Sequence, residues 1–301
     1  MHITITGATG FVGMALVRRL VASGHELVVL VRAPTQALDR VRQIIVPDLE
    51  VFDGWARVVK DAGAVIHLAG LAHQAADRLR LERINVRVTL DAARAAADAG
   101  ARFVYVSSVK VHGEETSTQS PLGETSPIAP RDDYGRSKAA AETAFHDIHN
   151  LRATVLRPPL VYGPGVKANF FALMRAIARG WPLPFASIEN RRSLIYVGNL
   201  CDAIIRCLEA PQAAGRTYLV TNGAPVSTPQ LCRALGDALG RPARLFPFPA
   251  FVLELHPGLR RLTRSLEVDD SAIRRELGWQ PPYTFEEGLR LTAEWYRVRG
   301  G

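Results

Sequence analysis

The 301 residues carry 37 Lys and Arg against 29 Asp and Glu, a net charge of +8 with His neutral, and 48% of them are hydrophobic. That balance belongs to a globular protein and excludes disordered, collagen-like and coiled-coil chains, while the length suits one α/β core with a smaller appended lobe. The arginines are scattered, with no long basic run and no basic strand interleaved with aromatics, so nucleic acid is excluded as a partner and an anionic small molecule remains.

Short, continuously apolar and β-branched runs at 2–6, 26–31, 42–46, 64–68, 102–106 and 152–156 read as strands buried on both faces. Helical periodicity at 11–23, 79–98 and 135–149 fills the gaps between them. This β-then-α alternation predicts a Rossmann-type, doubly wound parallel sheet. Beyond Val161 the alternation weakens and Pro and Gly become denser, with helices expected at 169–179, 200–209 and 228–239. The chain therefore divides into a dinucleotide-binding domain, 1–165, and a mixed α/β cap lobe, 166–301. The two are interleaved, because a strand at 193–197, opening the segment 193–210, is expected to return to the main sheet.

Cys201, Cys207 and Cys232 show no metal-ligand spacing and read as reduced core thiols. The apolar stretch 245–259 is broken by Pro247, Pro249, Glu254 and Pro257, so no integral membrane segment is expected. Strand-like sequence begins at His2, which leaves no room for a secretory signal and makes the cytoplasm the expected location.

Gly7, Gly10 and Gly13 follow the first strand and open the first helix, in a turn that also contains Thr9, Phe11 and Val12. The first glycine suits a tight turn, the second leaves room for a pyrophosphate against the backbone, and the third permits close packing of helix on strand. The same motif in an unrelated α/β turn would mean little; its strand-turn-helix setting makes it a dinucleotide fingerprint. At the end of the second strand, Val31 and Arg32 stand where a carboxylate would hold the ribose hydroxyls of NAD(H). A guanidinium there suits a 2′-phosphate, so NADP(H) is favoured over NAD(H), the alternative being that Arg32 is an ordinary solvated strand end. Asp48 and Leu49, after the third strand, are candidate adenine contacts, and Leu68, Ala69 and Gly70 supply small residues where a cofactor passes.

Tyr134 and Lys138 lie four apart at the start of a predicted helix and share one face. An ammonium beside a phenol is expected to favour the phenolate and turn a poor base into a usable proton exchanger. Ser107 and Ser108 follow the fifth strand, at the carboxyl end of the sheet where such folds bind ligands. Taken singly, the Tyr and Lys read as a surface pair and Ser108 as a strand-end cap; their order behind a nucleotide fingerprint reads as a catalytic set.

With these motifs, and with 157–165, 192–202 and Leu277-Gly278-Trp279, the chain resembles the extended short-chain dehydrogenase/reductases over nearly its whole length, and among them the UDP-glucose 4-epimerase-like sugar-nucleotide enzymes. The resemblance implies that Ser108, Tyr134 and Lys138 are catalytic, that Asn85 supports the site, and that Pro158 and Leu160 line the nicotinamide. It further implies that Asn169 and Arg192 hold the nucleotide diphosphate of a UDP-sugar substrate, with Arg260, Arg261 and Arg264 as candidates to complete the clamp or else to face water, and Lys110 near the sugar. The helices at 79–98 and 135–149 match those through which such enzymes form a four-helix homodimer contact. Two departures are visible: no acidic residue at 31–32, and Leu160 where epimerases carry an Asn. Together they direct the expectation to an NADPH-dependent reductase of a UDP-4-keto-6-deoxy-N-acetylhexosamine, as in bacterial lipopolysaccharide or capsule synthesis. A UDP-hexose 4-epimerase retaining NAD is the alternative within enzymes, and a non-catalytic dinucleotide-binding sensor or scaffold the alternative outside them.

Overall fold

The computed structural model describes residues 1–71, 77–117 and 120–298. Its strands, in chain order, are β1 (His2–Thr6), β2 (Glu26–Val31), β3 (Arg42–Ile45), β4 (Ala64–His67), β5 (Arg102–Val106), β6 (Arg152–Arg157), β7 (Leu160–Tyr162), β8 (Leu194–Tyr196) and β9 (Thr217–Leu219). Seven of them form one sheet in the order β3-β2-β1-β4-β5-β6-β9, and every pairing in it is parallel. The chain winds outward from β1 through β2 to β3, then crosses back to β4 on the other side of β1. At that reversal the helices that follow β1 and β4 pass to opposite faces of the sheet, the topology that places a ligand crevice at its carboxyl edge.

All four residues of β4 are buried, as the apolar runs require of a sheet covered on both faces. On one face Phe11–Ala22 packs against Val197–Glu209, and Arg19 joins the two by donating to the Gly198 carbonyl at 2.7 Å and to Asp202 at 2.9 Å. On the other face a continuous helix spans 78–98, packed beside Asp133–Ala144. Its middle, Glu82–Arg87, is wound as a π-helix. The small residues Ala92, Ala93 and Ala96 are fully buried and let this helix lie close to the strands. Beneath it, His67 bridges Thr6 and Thr89 through its two ring nitrogens at 3.0 and 3.1 Å, and burial lowers its pKa to about 3. The ring is neutral and serves as a core cross-link.

The cap is built on Ala168–Ala178, Thr228–Leu239 and Phe285–Val298, which pack together. Thr228–Leu239 is delimited by a capping box from Ser227 and Gln230 and by Gly240, left-handed at φ 72. Further cap helices, Ala250–Glu254, Pro257–Thr263 and Ser271–Leu277, had no counterpart in the sequence reading, nor had Phe285–Val298.

The strand expected at 193–197 to return to the main sheet does not do so. β8 pairs with β7 in a separate two-stranded sheet, while β9 takes the edge beside β6. The reason lies in the backbone partners of β8: the Leu194 carbonyl accepts from Asn222 N–H, and the Asn222 side chain accepts from Tyr196 N–H, both at 2.9 Å. The helix expected at 135–149 stops at Ala144 and tightens into a 3₁₀ turn, Phe145–Asp147.

A Cβ on Gly13 would lie 2.2 Å from the Gly7 carbonyl oxygen and 2.7 Å from Ala8 Cα, backbone atoms that move only if the turn opens. Gly13→Ala is therefore expected to lose about 1–3 kcal/mol of stability despite the better helix propensity of alanine, measured as a lowered urea midpoint. An unchanged or raised midpoint would show that the turn yields without cost.

Candidate active site

The crevice is a cleft of about 720 Å³. Its floor is the turn after β1, where Gly7 has φ 70 and a Cβ would strike the backbone of Leu68 and Ala69 within 2.9 Å. The turns of β1 and β4 thus touch, which only glycine permits. Gly10, Phe11, Val12 and Gly13 line the cleft at the start of Phe11–Ala22, whose first turn has no acidic residue and no side-chain cap. Its free amides and the positive end of its dipole are therefore available to an anion. Across from them stand Leu68 and Gly70, Ser107 and Ser108, and Pro158, with Arg32 exposed at the rim. The Ser107 hydroxyl is buried and has no hydrogen-bond partner among the described residues, as expected of a group that a ligand completes. Together these features fit a dinucleotide.

Other expected contacts stand apart from the cleft wall. Thr9 is exposed on the glycine turn, and Ala69 lies behind the wall with its N–H donated to Thr6. The Asp48 carboxylate caps the short turn Leu49–Val51 by accepting from Glu50 N–H at 2.8 Å, and Leu49 packs on the core beneath it. Arg80, Lys167 and Ala168 do line the cleft and were missed. Ala168 carried a backbone signal invisible to periodicity, a positive φ of 54 at the first residue of its helix.

Tyr134 and Lys138 enter the cleft from the helix Asp133–Ala144, whose start is fixed by Asp132 accepting from Gly135 N–H at 2.7 Å. The Tyr134 phenol is pushed up to about 12 by burial and, less strongly, by the nearby Asp132, against the opposing influence of the neighbouring Ser108 hydroxyl. This differs from the expectation that Lys138 would favour the phenolate. The Lys138 ammonium instead donates to the Val106 carbonyl at 3.0 Å and sits 4.5 Å from the centre of the Tyr105 ring. Burial lowers its own pKa to about 8. Asn85, fully buried in the π-wound turn, accepts from Leu71 N–H at 2.8 Å and donates to Ser137 at 2.9 Å. It ties the loop after β4 to the Tyr134 helix without lining the cleft.

Behind this set lies a buried cluster that was not anticipated. Arg157, at the end of β6, donates to both carboxylate oxygens of Glu142 and, at 2.9 Å, to Nε2 of His112. Burial and the guanidinium lower the pKa of His112, so its ring is neutral with Nδ1–H donated to the Pro127 carbonyl at 3.0 Å.

A second pocket, about 110 Å³, adjoins β7 and β8 and is lined by Leu160, Asn169, Arg192 and Arg261. Arg192 donates to the Arg264 carbonyl at 2.9 Å, and its pKa falls to about 10 through burial and the facing Arg261. Two guanidiniums converge on one small pocket, an arrangement suited to an anion. The Arg264 side chain points elsewhere, pairing with Glu115 and Glu254, so Arg261 is the second pocket cation. Lys110 is held between Glu114 and Asp132, 5.9 Å from the centre of the Tyr134 ring.

Residues 3–221, well over half of the chain, match the NAD dependent epimerase/dehydratase family. The chain belongs to that family. Within it, the sequence is 38% identical to a UDP-glucose 4-epimerase of Vibrio cholerae, covering 97% of this chain and 94% of that protein. Among solved structures, MoeE5 in complex with UDP-glucose and NAD superposes with a TM-score of 0.80 at 26% identity, covering 100% of both chains. DesIV of Streptomyces venezuelae, a dTDP-glucose 4,6-dehydratase with NAD and TYD bound, gives 0.80 at 25% identity, covering 99% of this chain and 97% of that one. Epimerases, dehydratases and reductases all occur in this enzyme family, and no described helix is long and apolar enough to cross a membrane.

Folded Lys138 titrates near 8 and unfolded lysine near its ordinary 10.5. Between those values the folded state has shed a proton that the unfolded state keeps, so this group adds stability as pH rises. Replacing it removes that slope. Measured against Lys138→Met by urea unfolding, the wild type should gain roughly 2–3 kcal/mol on going from neutral pH to the unfolded lysine value. Parallel pH curves would mean that the ammonium is not desolvated.

Proposed function

We propose that the chain oxidises and reduces C4 of a UDP-hexose as a 4-epimerase that retains NAD. The observation that carries this reading is the placement of Ser108, Tyr134 and Lys138 on a cleft fit for a dinucleotide, with an arginine-paired pocket in the adjoining cap. The Vibrio cholerae relative and the ligands held by MoeE5 support it. Arg192 and Arg261 would hold the diphosphate, and Leu160 and Asn169 the neighbouring part of the nucleotide.

A bound nicotinamide dinucleotide supplies a reversible hydride acceptor. The chain supplies the rest. Tyr134 exchanges the proton of the C4 oxygen, and Ser108 donates to that same oxygen as charge grows on it. Lys138, held by the Val106 carbonyl beside the cleft, orients the cofactor ribose with its remaining donors. Burial keeps the resting phenol protonated, which suits the proton-donating half of the cycle.

A second reading is favoured by Arg32, which lines the cleft where an acid would bind ribose hydroxyls. It is an NADPH-dependent reductase of a UDP-4-keto-6-deoxy-N-acetylhexosamine serving lipopolysaccharide or capsule synthesis. The expected homodimer, through the adjacent helices at 78–98 and Asp133–Ala144, and the cytoplasmic location belong to both readings.

Nucleotide released from denatured purified protein separates the two. Retained NAD, with interconversion of UDP-glucose and UDP-galactose without added cofactor, supports the epimerase; consumption of added NADPH by the 4-keto sugar, without epimerisation, overturns it. For either reading Tyr134→Phe should lower kcat by about 100- to 10,000-fold while UDP still binds, as titration calorimetry would report. Unaltered turnover would remove the phenol from the chemistry.

A further inference from the structure

The cap carries a further surface feature, made by side chains that line neither pocket. Trp181, Phe246, Phe251 and Leu255 are exposed by 53, 39, 71 and 80%. They form one neighbourhood. The segment after Trp181 runs beside 244–246, with Leu183 N–H donating to the Arg244 carbonyl at 2.8 Å and Phe246 N–H to the Leu183 carbonyl at 3.0 Å. Phe246 contacts Phe248 edge to face, and the chain then enters Ala250–Glu254, where Phe251 and Leu255 stand at i and i+4 and share a face. Pro257–Thr263 folds back against that helix, so the two short helices make a projection tipped with apolar side chains.

The same neighbourhood is cationic. Arg179 lies over the Trp181 ring at 5.7 Å, and Arg241, Arg244 and Arg260 are exposed. None of these four forms an ion pair with a described carboxylate; Arg241 and Arg244 only donate to the Ala178 and Gly180 carbonyls. The acid closest in sequence to the apolar tip, Glu254, is engaged by Arg264 and Thr263. Exposed aromatic and aliphatic side chains, with guanidiniums that lack carboxylate partners nearby, have the composition of a segment that lies in a lipid interface.

We propose that this projection docks the protein on an anionic lipid surface, with Phe251 and Leu255 entering the acyl boundary and the arginines meeting the headgroups. A second copy of the chain fits less well, because a two-fold contact through this face would set arginine against arginine. Charge complementarity identifies the lipid as anionic.

The experiment is co-sedimentation of the full chain with vesicles of equal parts phosphatidylglycerol and phosphatidylethanolamine, beside vesicles of phosphatidylcholine alone. The wild type should pellet with the first, lose that binding as salt is raised, and stay in solution with the second. Phe251→Asp with Leu255→Asp should weaken binding by about tenfold or more, given the apolar area withdrawn and the charge added. Arg241→Glu with Arg244→Glu should weaken it comparably. Phe251 and Leu255 are exposed, so that variant should keep its thermal unfolding and UDP binding. The arginine pair also loses its bonds to the Ala178 and Gly180 carbonyls, so it is read by lipid binding at a temperature well below its unfolding. Absence of wild-type binding to anionic vesicles, equal binding by the variants, or a lipid-free shift in sedimentation coefficient on substituting the tip, which would identify a self-contact, overturns the proposal. Its outcome is independent of which sugar-nucleotide reaction the cleft performs.

Discussion

The cleft wall that carries Ser108 and Tyr134 is braced by one buried guanidinium. Arg157 stands at the carboxyl end of β6, nearly excluded from solvent, with the Glu142 carboxylate equally covered. Charges in such a place are tolerated only when geometry is close and the remaining donors are used, because desolvation opposes them. Here the guanidinium forks onto the carboxylate and spends a further donor on His112. Three separate segments are thereby referred to one point: the Tyr134 helix through Glu142, the turn after Ser108 through His112, and the cleft wall through Pro158, the residue following Arg157. Arg157 bonds neither Ser108 nor Tyr134, yet it cross-links the segments that carry them.

Why some of this was legible in the sequence and some was not follows from the range of the interactions. Buried parallel strands announce themselves locally, since both faces must be apolar, and all six N-terminal strands lie within a residue or so of their expected bounds. The glycine turn was legible because a single close approach, Gly7 against the backbone after β4, excludes every other side chain. Ser108, Tyr134 and Lys138 were recognisable by order, but their electrostatics were not. Spacing on a helix places Lys138 on the face of Tyr134; it does not reveal that the Val106 carbonyl and the Tyr105 ring claim the ammonium. The exchange of Arg264 for Arg261 in the pocket has the same origin, because the carboxylates of Glu115 and Glu254 that draw Arg264 aside are distant in sequence or on another helix. Short strands such as β7, β8 and β9, three residues each, carry too little pattern to be assigned to a sheet.

The net positive charge resolves into distinct roles once positions are known. Many arginines are neutralised where they stand, as with Arg19 on Asp202, Arg216 on Glu276 and Arg274 on Asp270. Arg192 and Arg261 face each other at a pocket, with Glu114 holding Arg261 from the side and offsetting part of their repulsion. Others remain on the cap surface without acidic partners. Overall charge described none of this; local pairing did.

The place of β9 carries a consequence for how the polypeptide reaches its native state. β6 is synthesised long before β9, and in the interval its outer backbone groups have no strand to pair with. The segment that closes this edge arrives only after the chain has laid down β7, Ala168–Ala178, β8 and Val197–Glu209. Completion of the sheet therefore requires closure of a long loop, and the nascent N-terminal half passes through a stage with an open, association-prone border.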